Sequence, residues 1–407
     1  MATTSYLYHS LGVHGYVHRC TEYLNGWVYH HVELAPHKRT CRNCGARWNE
    51  LRMEGRFERT FFALPVGRRP QFIVLRGHRQ RCLRCGKTLR EPIDFTEGKQ
   101  RYLKAFGRYV IELCRITTIR ATADLLGVGW DLVKQIHKEH LRKKLRRRKL
   151  SKVRYLAVDE FALQKGHRYM TVVLDLETGE ILHAHRGRDA GSLVPFFWKL
   201  KRRGGRPLAV AMDMSEAYAN AVREVFGATV DIVHDPYHVV VLANRAIDET
   251  RRTMVRQLQG KERKLLKGTR YLLLRGLENL GEDALDQLAH LMEINEPLYQ
   301  AYLLKEELRL FWNLPGSQAG DAFLNAWTEQ ARAIGNDQFT RLAQTLDDHR
   351  PGLLAYFRHR ISTGPLEGLN NKIKVLKRIA YGFRDLDYFK LRLFFLHEQL
   401  PTHAFPG

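Results

Sequence analysis

The chain has 407 residues, 44% of them hydrophobic, with 67 Lys and Arg against 43 Asp and Glu, a formal net charge of +24. That length spans two to four ordinary domains, and the apolar content fills a core in each, which excludes an entirely disordered or fibrous chain. No apolar stretch approaches the ~20 residues of a membrane-spanning helix, and the N-terminus lacks a basic-then-apolar leader, so the expectation is a soluble, cytoplasmic protein with no membrane partner. Residues 1–150 hold 31 basic and 12 acidic side chains, a balance of +19, which leaves +5 for the rest. Charge polarised in this way is the footprint of a polyanion, and nucleic acid is the partner it favours.

The first segment, about 1–95, carries two Cys-x-x-Cys-Gly hooks, Cys41–Gly45 and Cys82–Gly86. Between them, Arg56–Leu64 and Gln71–His78 read as strands joined by the turn-prone Pro65–Pro70. Cys41, Cys44, Cys82 and Cys85 thus offer four thiolates for Zn²⁺, as in a zinc ribbon. Six cysteines, four of them in tight pairs, fit a reducing compartment better than a secreted disulfide framework. Cys20 and Cys114 fall outside the pattern and read as ordinary small apolar side chains.

Residues 99–150 read as helical. Ile119–Leu126 has apolar residues at helical spacing, Gly127-Val128-Gly129 interrupts it, and Trp130–His140 resumes, with Trp130, Val133, Ile136 and His137 on its apolar face. Helix, glycine turn, helix is the pattern of a helix-turn-helix, and it makes Lys134, Gln135 and Lys138 candidate DNA readers on the second helix. The tract Leu141–Lys152 has eight basic residues in twelve and no acid. Arg146, Arg147 and Arg148 within it are candidate phosphate contacts, in a stretch that also serves as a solvated linker.

From Val153 the pattern changes to strands: Val153–Phe161, Arg168–Leu176 and Glu180–His185, the last two joined by Glu177–Gly179. A helix at Ser192–Lys201, a strand at Pro207–Met212, a helix at Ser215–Phe226 and a short strand at Thr229–Val233 follow, which makes an α/β sheet. Val239 to Arg360 is almost wholly helical in pattern, and Phe311, Trp312 and Trp327 there read as core. A final helix starts near Pro365.

Three acids stand where a sheet-built metal site wants them. Asp159 follows the apolar Leu156–Val158, Asp213 follows Leu208–Met212, and Glu367 lies in the first turn of the last helix. Hard carboxylate oxygens of this kind select Mg²⁺ or Mn²⁺ for phosphoryl transfer. Asp175 and Glu177 flank a hairpin turn, and strand alternation turns Glu160 to the face opposite Asp159, so these three are expected to stand apart. After Glu367, helical spacing places Asn371, Lys374 and Arg378 on one face as candidate DNA-backbone contacts, and Leu366, Leu369, Ile373 and Leu376 on the other.

The order of these segments, with Val158–Phe161, Ala211–Val222, His234–Val240 and above all Gly364–Asp385, resembles the ISL3 family of bacterial insertion-sequence transposases over nearly the whole chain. The resemblance implies a multidomain α/β protein: a zinc-ribbon DNA-binding domain (1–95), a helix-turn-helix with basic linker (99–150), and an RNase H-like DDE catalytic domain (151–407) with a helical insertion at about 242–360. It implies Asp159, Asp213 and Glu367 as a catalytic, Mg²⁺-binding triad. It also implies cutting and joining of double-stranded DNA at terminal inverted repeats and target, by a homodimer or higher oligomer associated with the bacterial nucleoid. Asp235 and His238 match the Asp-x-x-His element of related transposases and are expected to support the site. The rival expectations are a DNA-binding regulator that keeps the fold without catalysis, and an RNase H-like nuclease without strand transfer.

Overall fold

A computed structural model of the chain describes residues 2–164, 168–187, 190–380 and 385–399, and it divides into two compact units. One takes the residues up to Arg147 together with Ile379–Leu391, and the other takes Arg148–Arg378 together with Arg392–His397. Positions 381–384 of the last sequence motif lie outside the described residues.

The first unit opens with α1 (Ala2–His9) and the hairpin β1 (Tyr16–Leu24) and β2 (Trp27–Leu34). Asn25 and Gly26 both hold positive φ between the two strands, a turn that an Asn-Gly pair adopts at little cost. A long hairpin follows, β3 (Leu51–Val66) with β4 (Arg69–Cys82), and then β5 (Thr88–Arg90) on the free side of β4. These strands form one sheet in the order β1-β2-β4-β3, with β2 parallel to β4. The hairpin between the cysteine pairs is longer than its sequence pattern, because pairing runs from Leu51 opposite Cys82 to Val66 opposite Arg69.

Three helices complete this unit: α2 (Lys104–Ile116), α3 (Ile119–Leu126) and α4 (Trp130–Arg146). The Thr118 hydroxyl accepts from Ala121 N at 3.0 Å to start α3, and Gly127 at φ 64° ends it. Leu103, Phe106, Val110, Ala123, Leu126, Val133 and Ile136 pack against Phe61, Ile73 and Leu75 of the sheet in one apolar cluster. Burying a side chain such as Phe61 stabilises by about 1.5–3 kcal/mol, and the shared core makes the two N-terminal segments of the sequence one folded body. Cys114 is buried as expected, whereas Cys20 is exposed on β1 and is not a core residue.

The second unit is built on β6 (Tyr155–Gln164), β7 (Arg168–Asp175) and β8 (Ile181–Arg186), an antiparallel meander. Then come α5 (Leu193–Arg202), β9 (Ala209–Met212), α6 (Glu216–Phe226) and β10 (Asp231–His234). The sheet order is β10-β9-β6-β7-β8, with β9 parallel to β6 and β10 parallel to β9. Phe196, Phe197, Leu200, Val222 and Val225 of α5 and α6 close over Leu156, Val158, Val210 and Met212.

A helical array follows: α7 (Pro236–Gln257), α8 (Gly260–Gly268), α9 (Arg270–Leu274), α10 (Glu282–Ile294), α11 (Glu296–Leu310), α12 (Ser317–Ala333), α13 (Asp337–Asp348) and α14 (Arg350–His359). Its core includes Val239, Ala243 and Ile247 of α7, so the helical region begins at the sheet edge, a little before the boundary read from sequence. Phe311 and Trp327 are buried there, and the Trp327 indole donates to Leu304 O at 2.8 Å. Arg360 then takes positive φ, and the chain enters α15 (Gly364–Ile379), α16 (Leu386–Phe394) and α17 (Leu396–Gln399).

Candidate active site

Strand register brings the candidate acids together. Ala157 of β6 lies opposite Ala211 of the parallel β9. Asp159 and Asp213 each stand two residues further on, so strand periodicity turns them to the same level and face. β10 adds a third acid: His234 pairs with Met212, and the next amide, Asp235 N, donates to Met212 O at 3.0 Å. Asp159, Asp213 and Asp235 thus stand in a row across three adjacent parallel strands, on the carboxyl edge where α/β sheets gather ligands.

Each carboxylate is held differently. Asp213 Oδ1 accepts from Ser215 N at 3.1 Å at the entry to α6. The Asp159 carboxyl is pushed above the usual range by burial first, with the charges of Asp213 and Asp235 adding to it and the Glu160 amide and His238 imidazole opposing. Asp235, only 2% exposed, accepts from Thr363 N through Oδ1 at 3.0 Å, while its Oδ2 is buried with no hydrogen-bond partner among the described residues. His238 follows one turn into α7. Glu367 is exposed on the first turn of α15, four residues after Thr363.

Asp159, Asp213, Asp235 and His238 are therefore electrostatic neighbours. Among the described residues, neither Glu367 nor Asp235 joins Asp159 and Asp213 in a set whose ligand atoms all lie within 4.8 Å. The donor chemistry still suits a divalent cation, because neighbouring hard carboxylate oxygens raise one another's charging cost and one of them, on Asp235, is buried without a hydrogen-bond partner among the described residues. The unpaired Asp235 oxygen is what sequence reading misses; the Asp-x-x-His pattern flags the residue but not its environment.

The remaining acids stand apart. Glu160 accepts a hydrogen bond from Tyr218 of α6, and Asp175 closes its hairpin turn by accepting from Glu177 N and the Thr178 hydroxyl. On α15, Leu366, Leu369, Ile373 and Leu376 are buried, and Asn371, Lys374 and Arg378 are exposed on the other face.

In the first unit the four cysteines converge. Cys41 Sγ lies 3.7 Å from Cys85 Sγ, and Cys44 Sγ lies 3.5 Å from Cys82 Sγ. Thiolates 2.3 Å from one tetrahedral zinc are separated by about 3.8 Å, so the spacing fits that ion. Each hook closes the same way, Gly45 N donating to Cys41 O and Gly86 N to Cys82 O, with both glycines at positive φ. Backbone amides of Cys44 and Asn43 lower the Cys41 thiol, whereas Cys44, although the Ala46 amide lowers it, is raised overall by burial and by hydrogen bonds with the other three thiols.

Three of the expected DNA contacts already have protein partners. Lys134 and Lys138 both pair with Asp385, at 3.0 and 2.7 Å, and are largely covered rather than free on α4. Trp130, expected on the apolar face, is half exposed, whereas His137 is buried with Nδ1 2.7 Å from the Tyr388 hydroxyl. Arg148 is 9% exposed: it pairs with Glu180 at 3.1 Å and donates to the carbonyls of Ile181 and Phe394. Gln135, Arg146 and Arg147 remain exposed.

Comparison with known proteins places this geometry in context. Residues 156–393 match the ISL3 type of DDE transposase, a family described simply as transposase. The chain is 34% identical over 371 residues, 90% of this chain and 89% of the relative, to the transposase for insertion sequence element IS1001 of Bordetella parapertussis. It is 29% identical over 375 residues, 85% and 83% of the two chains, to the transposase for IS1557 of Mycobacterium tuberculosis. Among solved structures, the Drosophila P element transposase strand transfer complex aligns over 73% of this chain and 92% of that chain, at 10% identity and a TM-score of 0.38.

Proposed function

This chain belongs to the ISL3 family of insertion-sequence transposases and its function is DNA transposition; on that premise we propose that Asp159, Asp213 and Glu367 are the catalytic carboxylates and hold Mg²⁺ or Mn²⁺. The observation that carries the reading is the row of Asp159, Asp213 and Asp235 across neighbouring strand ends, joined through Thr363 to the helix that bears Glu367. A bound divalent cation supplies Lewis acidity toward phosphoryl oxygens and lowers the pKa of water. Asp159 and Asp213 anchor it from the sheet and Glu367 from α15, while Asp235 and His238 support that arrangement. Asn371, Lys374 and Arg378 hold the DNA backbone beside it. Water attacks the phosphodiester at the transposon end and breaks its P–O3′ bond, leaving a 3′-hydroxyl and a 5′-phosphate. That hydroxyl then attacks a target phosphodiester and expels the target strand's 3′-oxygen, so one phosphodiester replaces another and no side chain forms a covalent intermediate.

We read the second unit as an RNase H-like fold: an antiparallel meander extended by two parallel strands supports this, with α7 to α14 as the insertion before Glu367. The cysteine quartet is a zinc ribbon, and α3 with α4 is a helix-turn-helix that recognises the terminal inverted repeats, with Gln135, Arg146 and Arg147 as DNA contacts. Transposition proceeds from a homodimer or higher oligomer at the nucleoid. No helix among the described residues is long and apolar enough to cross a membrane.

The test uses the full chain with a labelled transposon end and Mn²⁺ or Mg²⁺. Asp159→Ala, Asp213→Ala and Glu367→Ala are each expected to abolish cleavage while keeping end binding, since the excess positive charge lies in residues 1–150. Full cleavage by any of the three overturns the assignment. A wild-type chain that binds ends without nicking them favours the regulator, and nicking without joining favours the nuclease.

A further inference from the structure

We propose that Cys20, Glu22 and His31 form a second transition-metal site, a three-ligand Zn²⁺ site on the outer face of the first hairpin with one position open to solvent. One ligand atom from each lies within 4.8 Å of the others. His31 is 7% exposed and its ring nitrogens have no hydrogen-bond partner among the described residues, with Nε2 3.2 Å from Glu22 Oε2. Nitrogen and oxygen ligands about 2.0–2.1 Å from one tetrahedral ion are separated by about 3.3 Å, so the pair already stands at ligand spacing.

The strand geometry shows why the three meet. β1 pairs His18 with Val32, then shifts register so that Cys20, not Arg19, lies opposite His31. Without the extra residue Cys20 would oppose His30, on the face that carries the buried Val32. The bulge re-aims its thiol to the outer face, where Glu22 joins it two residues on. An ion pair between Glu22 and His31 explains neither the bulge nor the thiol placed against them. Thiolate, imidazole and carboxylate together suit a borderline cation such as Zn²⁺ rather than Mg²⁺. Cys20 and Glu22 are exposed, which leaves the fourth position to water or to a further ligand.

Cys20 reports on the site directly, because an exposed thiol is alkylated when free and masked when bound to metal. The full chain, with one equivalent of Zn²⁺ kept in the quartet, is titrated with further Zn²⁺ and treated with iodoacetamide, and each cysteine is followed by mass spectrometry. Labelling of Cys20 is expected to slow about tenfold or more when Zn²⁺ is added. Glu22→Gln, an exposed substitution that leaves the fold intact, is expected to restore fast labelling, and Cys20→Ser is expected to lower the bound zinc from two equivalents to one. The quartet cysteines are read separately in the same digest, so failure of that site is distinguishable. A Cys20 labelling rate unaffected by Zn²⁺, or protection that survives Glu22→Gln, overturns the proposal.

Discussion

Asp235 Oδ1 accepts from Thr363 N at 3.0 Å, joining segments 128 residues apart in the chain. Both residues are buried. The first directly follows β10, beside the strand β9 that leads into Asp213, and the second precedes the helix that bears Glu367. One carboxylate thereby ties the sheet edge to the entry of α15, across the whole helical array.

Removing that acceptor leaves a buried amide unpaired, which costs about 1–3 kcal/mol. Asp235→Ala is therefore expected to lower urea stability by that amount and to speed hydrogen exchange at the Thr363 amide. Asp235→Asn keeps an acceptor oxygen and should lose less. Equal stability and exchange in all three chains would show that the bond does not hold α15.

Zinc bound by the quartet should act as part of the fold of the first unit, because a preformed site is absent from the unfolded chain. Cys82→Ser is expected to lose the quartet's zinc equivalent, to expose the hairpin ends to proteolysis and to weaken binding to transposon ends. Normal end binding without zinc in the quartet would contradict this.

How much of this was legible follows from where each partner lies in the chain. An apolar run ending in Asp reads locally, so Asp159 and Asp213 were found at their strand ends, and helical spacing gave the buried face of α15. The first hairpin carries the strongest short turn signal, Asn25-Gly26, yet its strands hold His30 and His31 where a regular alternation of apolar residues would mark them. The covered state of Lys134 and Lys138 was out of reach, since Asp385 lies 247 residues from Lys138. A basic helix face and a helix face already paired with a distant acid have the same local pattern.

Stability at mildly acidic pH should depend on His234. Its pKa is lowered to about 4, mainly by burial, with His349 and Arg223 adding repulsion and the Asp213 carbonyl partly offsetting it. The unfolded histidine titrates near 6.5, so between about 6.5 and 4 the unfolded chain takes up a proton that the folded chain refuses. Stability is complete above that window and falls as pH falls through it, by up to about 3 kcal/mol from this residue. Urea midpoints at pH 7.5, 6 and 5 should show a steeper acid loss for the wild type than for His234→Gln. Parallel losses would mean that the imidazole is protonated in the fold.

Adjacent arginines in the linker should separate by function. Arg146 and Arg147 are exposed, whereas Arg148 spends its donors on Glu180 and on the carbonyls of Ile181 and Phe394. If the first two neutralise phosphates, Arg146→Ala and Arg147→Ala should each weaken binding to all DNA sequences alike and reduce the salt slope by about 1. Arg148→Ala should leave the slope unchanged and instead lower the unfolding midpoint, because it removes the arginine partner of Glu180 and the side-chain donor to two carbonyls. Gln135→Ala, on the exposed side of α4, should reduce preference for the terminal repeat over random DNA, since base contacts and not phosphate contacts carry sequence. Competition titrations at several salt concentrations, paired with urea melts, read all four variants. A reduced salt slope for Arg148→Ala with an unchanged melt would return that residue to the DNA surface and remove it from the fold.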